Sequence, residues 1–372
     1  MLKSVKIENF RGFKSFELQQ LGRINLLVGE NNSGKTSILE AIQLLCSRNN
    51  LEPIRESINK RGEYLFDDER RGERKLDIRH LFYGHEIELG SRFSIVSTTD
   101  GNIQEQLIGS IEIRKNLHRE SYNQLPEVIY DEVPDVLKET DLIIQWTQEK
   151  KEDFLKLPLM PNGTLPVDYI LRSRRDTKNP AIITQFITSS SLGTEKMIEL
   201  FDQVVLTPEE KLVEQALNRV DSKIQRIAPV SSQKSRYLSD SRGGFLVLLS
   251  DNKRVPIGSM GDGIWRILGL ALATVCAKDG YLFIDEIDTG LHFTTMSDMW
   301  KMIWETSKRL NVQVFATTHN SDCWKSLSDI AEQENAIEDS IRIHRIEKGK
   351  EKNIVFIEPE IVIAAEENIE VR

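Results

Sequence analysis

The residues whose types and spacing most clearly suggest chemistry are Gly29-Glu30-Asn31-Asn32-Ser33-Gly34-Lys35-Thr36. They match the phosphate-loop pattern G-x-x-x-x-G-K-[ST] at every defined position. In such a loop the glycines let backbone N–H groups wrap phosphates. Lys35 reaches the β and γ oxygens, and the Thr36 hydroxyl binds Mg²⁺. Gly29, Asn31, Asn32, Ser33, Gly34, Lys35 and Thr36 are therefore candidate ligands of a nucleotide. A second site of the same chemical kind is Tyr281-Leu282-Phe283-Ile284-Asp285-Glu286, an apolar run that ends in two carboxylates. Asp285, at the end of a strand, is placed to hold the metal with Thr36, and Glu286 to orient and deprotonate an attacking water. His319, in VFATTHN, follows another apolar run and could meet the γ-phosphate or the water. A third feature, Ser259-Met260-Gly261-Asp262-Gly263, opens an apolar helix with free N–H groups but has no lysine.

These residues need strands and helices to hold them, and the patterning supplies both. LKSVKIENF, FKSFEL and RINLLVG read as strands, the first two separated by the turn residues Arg11-Gly12. Behind the loop, Ile38, Ala41, Ile42 and Leu45 share one helical face. Residues 51 to 90 are hydrophilic. From about 91 to 190, RFSIVST, QLIGSIEIR, DLIIQW, VDYILRS and PAIITQFI alternate with turns, predicting a mostly antiparallel sheet. A helix is expected at 207 to 223, with Thr207 as N-cap and Glu210 three residues on. GGFLVLLSD, YLFIDEID, VQVFATTHN, IRIHRIEKG and NIVFIEPE read as strands, with helices ending near 309, starting near 321 and closing the chain. Alternating β and α segments predict a parallel-rich sheet covered by helices.

In this order, GENNSGKT, SMGDG, YLFIDEIDTGLH and ATTHN resemble the P-loop, signature motif, Walker B with D-loop, and H-loop of ABC-type ATPases. The long insertion and the opening I-x-N-F-R-G-F, Ile7 to Phe13, resemble the SMC, RecF and OLD branch, and within it the OLD-like AAA family ATPases of bacteria, many of them found in anti-phage defence. The resemblance implies an α/β fold: an ABC-type ATPase head of parallel-rich sheet and flanking helices with an antiparallel β lobe, interrupted by a β-rich and helical insertion. Residues 1–50 and 240–372 would form the head, 51–205 the β-rich insertion, and 206–239 a helical lead into the signature lobe.

Roles follow from the same resemblance. ATP and Mg²⁺ are the implied ligands, bound by Lys35, Thr36 and Asp285, with Glu286 as general base and His319 as the γ-phosphate switch. Asp288 in the D-loop would communicate across a dimer. Ser259, Gly261 and Gly263 would close over the nucleotide held by another copy, which accounts for a phosphate-type loop without lysine. Asp262 stands where the transporter motif LSGGQ has glycine, so its carboxylate must point away or pair, with Arg266 the nearest cation in sequence. Gln43 lies on the P-loop helix and reads as structural. A TOPRIM nuclease set is absent from the approximately fifty residues after His319, so an ATPase alone is expected, acting with a separate nuclease or toxin effector.

Composition bounds the rest. The 372 residues carry a net charge of −9, which argues against a surface coated in nucleic acid. Arg70, Arg71, Arg74, Lys75 and Arg79, with Arg172, Arg174, Arg175 and Lys178, could line a groove for DNA, as in a RecF-like repair ATPase. The interspersed Asp67, Asp68, Glu69 and Glu73 favour a solvated mixed-charge surface. A transporter subunit is disfavoured by the length of chain between Lys35 and Ser259. Cys46, Cys276 and Cys323 have neither disulfide nor zinc spacing and read as buried thiols. The N-terminus lacks a signal-peptide core and no run approaches a membrane span, so a cytoplasmic protein without membrane contact is expected.

Overall fold

The computed structural model describes residues 1–48, 50–66, 74–114, 139–173, 181–230, 244–333 and 340–372, with 171–173 and 333 described for their backbone alone. Arg70, Arg71, Arg174, Arg175, Lys178 and the acids Asp67, Asp68, Glu69 and Glu73 lie outside the described residues, as does the Arg172 side chain. The chain divides into two compact units.

The α/β unit comprises Met1–Lys3, Leu18–Leu39 and Ile182–Arg372. Its six-stranded sheet runs in the order Thr184–Ile187, Tyr281–Ile284, Gln313–Thr317, Ile24–Val28, Ile341–Arg345 and Ile354–Phe356. The first five are mutually parallel and the last pairs antiparallel. INLLV, YLFI and QVFAT are buried at every position, the expected outcome for strands covered on both faces. Helix Asp262–Cys276 is buried continuously from Ile264 to Val275. It packs against helices Thr194–Val204, Glu210–Val220 and Phe293–Arg309, so no side of it is left to water. A small antiparallel sheet, Ile224–Pro229, Phe245–Leu249 and Arg254–Pro256, leads into that helix.

The β-rich unit comprises Ser4–Glu17 and Glu40–Ala181. Its larger sheet has the order Phe13–Leu18, Leu2–Phe10, Arg92–Thr99, Gln104–Ile113, Thr140–Gln148 and Lys151–Pro158, and its last four strands form an antiparallel meander. A second antiparallel sheet joins Thr164–Pro166, Arg74–Asp77 and Tyr64–Phe66.

Several expectations are displaced. The opening hairpin divides with the β-rich unit, because the strand Leu2–Phe10 pairs with Arg92–Thr99. VDYILRS is a helix, Val167–Ser173: Val167 and buried Ile170, three apart, share a helical face, whereas a strand would set them on opposite faces. PAIITQFI leaves the antiparallel set, and its Thr184–Ile187 strand pairs in parallel with Tyr281–Ile284. The α/β unit thus resumes at 182 rather than 240 and includes the helix Thr194–Val204. The next helix opens at Glu210, not Thr207: the Thr207 hydroxyl donates back to Val204 O, and the Glu210 carboxylate accepts from Leu206 N–H. Within the hydrophilic stretch, Glu52–Arg61 is a helix, with Pro53 in its first turn, Ile54 and Ile58 buried one turn apart, and Gly62 as left-handed cap. The three cysteines are free thiols, Cys46 and Cys323 buried as expected and Cys276 half-buried. Among the described residues no helix is long and apolar enough to cross a membrane.

Candidate functional site

Three adjacent parallel strands, Ile24–Val28, Gln313–Thr317 and Tyr281–Ile284, end on the same edge of the sheet. Residues at the C-terminal ends of parallel strands are the usual place for a bound ligand. From the first strand the chain enters the glycine loop. Gly29 has φ of 140°, and a Cβ there would lie 2.3 Å from Ile346 O, so glycine alone fits. Asn32 and Gly34 also take positive φ, 61° and 96°, which turns the loop before helix Lys35–Ser47 begins. Asn31 and Asn32 are exposed and Ser33 is buried. The Ser33 hydroxyl has no hydrogen-bond partner among the described residues, an orphaned polar atom beneath a loop suited to phosphate. The Lys35 ammonium donates to Gly29 O at 2.8 Å and Glu30 O at 2.7 Å. Burial lowers its pKa, and the Asp285 and Glu286 charges act in the opposite direction.

Asp285 gathers the hydroxyls. It accepts from Thr36 Oγ1 at 3.0 and 3.1 Å and from Thr317 Oγ1 at 2.7 Å. Thr317 Oγ1 in turn accepts the Glu286 N–H at 2.8 Å. The P-loop helix and two strand ends are thereby joined through one carboxylate. Glu286 has φ of 47°, a left-handed conformation that breaks the strand and turns its side chain outward, 43% exposed. Its Oε1 lies 3.9 Å from His319 Nδ1, and its Oε2 accepts from Thr289 Oγ1 at 3.4 Å. Asp288 is nearly buried and accepts from Thr318 Oγ1 at 2.6 Å. It is thus fixed within its own chain, and the exposed residues of this loop are Thr289 and Gly290.

The Ser259–Gly263 turn is built as its sequence suggests. A 3-10 turn, Ile257–Met260, is followed by Gly261 at φ 91° and then by the helix Asp262–Cys276. Ser259 and Gly261 are exposed and Gly263 is half-buried, close to Gly290 O. Asp262 is exposed in the first turn of the helix, where its charge complements the helix dipole. Arg266 has other partners. The residue is 1% exposed, and its guanidinium donates to Thr188 O at 2.7 Å, Ser191 Oγ at 3.2 Å, Asp285 O at 3.3 Å and Glu286 O at 2.9 Å. Burial lowers its pKa to about 10, against the pull of Asp288, Asp285 and Glu286, so it stays charged near neutrality. Gln43 is buried, in keeping with a structural role.

Sequence reasoning passed over Thr317, Thr318 and the contacts of Arg266. Two adjacent hydroxyls after an apolar strand, and an arginine inside an otherwise apolar helix, were the available signals. The donor set suits Mg²⁺: Thr36 Oγ1 and the Asp285 carboxylate are hard oxygen ligands already within hydrogen-bond distance of each other. Among the described residues no three His, Cys, Asp or Glu gather as a metal cage, and a magnesium ion bound to a triphosphate needs only one or two protein oxygens.

The model of a family described as AAA ATPase domain matches residues 1–323. The ATP/GTP phosphatase of Helicobacter pylori is 24% identical over 363 residues, covering 90% of this chain and 90% of its own. The DNA replication and repair protein RecF of Clostridioides difficile is 50% identical over 44 residues, 12% of each chain. Among solved structures, the Smc head domain bound to the C-terminal domain of ScpA, derived from Pyrococcus furiosus, aligns at a TM-score of 0.48 and 11% identity over 99% of both chains. With the family model spanning most of its length, the chain belongs to the AAA ATPase domain family, and it is an ATPase.

Proposed function

We propose that this ATPase hydrolyses ATP with Mg²⁺ in a site completed by a second copy of the chain. The observation that carries the reading is the hydroxyl and carboxylate chain from Thr36 through Asp285 and Thr317 to the Glu286 N–H, beside Lys35. Lys35 neutralises and orients the β and γ phosphates, with the loop N–H groups of residues 29–34 around them. Thr36 and Asp285 would hold the metal, which would supply charge neutralisation to the triphosphate. Glu286 has a half-exposed carboxylate free to take a proton from the attacking water, and His319 beside it contacts the γ-phosphate or that water. Ser259 and Gly261 are exposed in one copy and Gly263 is half-buried, which suits a loop that caps the nucleotide of another with its hydroxyl and N–H groups.

The reading extends to a conformational ATPase, a sensor or scaffold that controls a separate nuclease or toxin in bacterial anti-phage defence. Its support is the motif order shared with OLD-like ATPases. The RecF match over 44 residues favours a second reading, a DNA-binding ATPase of recombination or repair. Salt-dependent binding to duplex DNA by the purified protein selects the second, and a nuclease or toxin encoded by the adjacent gene selects the first.

Glu286→Gln tests the chemistry. It is expected to retain ATP, to lose hydrolysis by about 100-fold or more, and to elute as an ATP-dependent dimer, whereas Lys35→Ala loses nucleotide binding. Parental hydrolysis by Glu286→Gln would overturn the base assignment, and a monomer at saturating ATP would overturn the composite site.

A further inference from the structure

Within the β-rich unit, Ile78–Leu81 and Tyr83–His85 form two short 3-10 turns that bring two imidazoles together. The first hairpin anchors them: Arg11 N–H donates to Leu81 O at 3.0 Å, and Phe10 bridges Phe82. The second turn is broken at Gly84, φ 83°, and His85 follows at φ 61°. A left-handed residue carrying a Cβ costs free energy and is worth inspection. Its consequence is that His80 Nδ1 and His85 Nδ1 stand 3.3 Å apart, with ring centroids separated by 5.2 Å.

Those two distances discriminate between pairings. An imidazole nitrogen sits about 1.15 Å from its ring centre, so a linear N–H···N bond of this length would place the centres about 5.6 Å apart. Two imidazole nitrogens bound at about 2.05 Å to one tetrahedral ion lie about 3.35 Å apart, with ring centres about 5.2 Å apart. The second geometry matches both measurements, whereas a hydrogen bond fits them only when bent well away from linear. The far side of His80 is also arranged for it, since Asp77 Oδ2 lies 3.5 Å from His80 Nε2. Arg79 grips the same carboxylate through Nε at 2.8 Å and Nη2 at 2.6 Å. A carboxylate near Nε2 favours the ring proton on that side and the Nδ1 lone pair for a metal, the common support of ligating histidines.

We propose that His80 and His85 form a binding site for a divalent transition metal of the Zn²⁺ class, through both Nδ1 atoms, with Asp77 positioning His80. Imidazole pairs select such ions over the Mg²⁺ held by the oxygens of Thr36 and Asp285, so the two sites differ in metal. Among the described residues no third side-chain ligand joins the pair, which leaves two tetrahedral positions for water or for a group from a partner.

The test is a calorimetric Zn²⁺ titration of the full chain after chelator stripping, in excess Mg²⁺ to occupy hard-oxygen sites, with Co²⁺ as spectroscopic probe. One Zn²⁺ per chain and the visible absorption of tetrahedral Co²⁺ are expected. His80→Gln and His85→Gln should each weaken binding about tenfold or more. Both rings are solvent-accessible, so the variants should keep the parental melting temperature, which separates ligand loss from unfolding. No Zn²⁺ heat with the parent, undiminished affinity in both variants, or an octahedral Co²⁺ spectrum would each overturn the proposal.

Discussion

Arg266→Met is the most informative perturbation of the ATPase site. It removes the guanidinium that ties helix Asp262–Cys276 to the backbone of both Walker carboxylates, while keeping an unbranched stem of similar bulk. Two carbonyls lose short donors, Thr188 O at 2.7 Å and Glu286 O at 2.9 Å, and Asp285 O and Ser191 Oγ lose longer ones at 3.3 and 3.2 Å. A buried acceptor left unpaired costs about 1–3 kcal/mol, and the longer bonds contribute less, so the expected loss of unfolding free energy is about 3–5 kcal/mol. The carbonyl released belongs to Glu286 itself, held at φ 47°, so the proposed general base loses its aim as well. Steady-state ATP hydrolysis should show kcat falling at least tenfold with KM changed little, since Lys35 and Thr36 lie on a different element. Nucleotide binding and denaturant midpoints measured on the same preparation separate loss of aim from loss of fold. Arg266→Lys keeps a charge but not the planar fork and should fall between the two. Hydrolysis within twofold of the parent and an unchanged midpoint for Arg266→Met would refute the reasoning.

Other outcomes follow from single contacts. Gly29→Ala sets a Cβ 2.3 Å from Ile346 O at a φ of 140°, so a cost above about 3 kcal/mol and loss of ATP binding are expected in thermal melts and nucleotide titrations. Thr317→Val removes the hydroxyl between Asp285 and the Glu286 N–H and should lower kcat about tenfold or more with smaller effect on ATP affinity; equal loss of both would contradict it. His344 is fully buried, its Nε2 3.1 Å from Asn25 Oδ1 and its Nδ1 2.8 Å from Asn353 Nδ2. Burial, with a smaller push from Arg342, drives its pKa down from 6.5 to about 3. The folded pKa lies below the unfolded one, so this stability is complete above pH 6.5 and is lost as pH falls toward 3, on the order of 5 kcal/mol over that window. Melting temperatures from pH 7 to 4 should drop more steeply for the parent than for His344→Gln, and parallel curves would exclude the effect.

The sequence by itself determined the local elements that carry the candidate site and most of the α/β unit. A glycine loop between an apolar strand and a helix, or two carboxylates after YLFI, needs only short-range geometry, and each lies where its spacing indicates. Largely apolar runs such as INLLV and QVFAT likewise carry the signature of strands buried on both faces. Only the tertiary structure decided which strand pairs with which. PAIITQFI resembles its antiparallel neighbours in composition, but joins Tyr281–Ile284 in parallel, because pairing depends on partners about a hundred residues away. The same holds for side chains whose role lies in a distant contact. Arg266 reads as a misfit in an apolar helix until Thr188, Asp285 and Glu286 are brought beside it, and Asp262 as a misfit in a phosphate loop until it is seen to be exposed at the helix start. Spacing along the chain reveals groups that act within a turn or two of each other, whereas groups that meet across the sheet are specified only when the core packs.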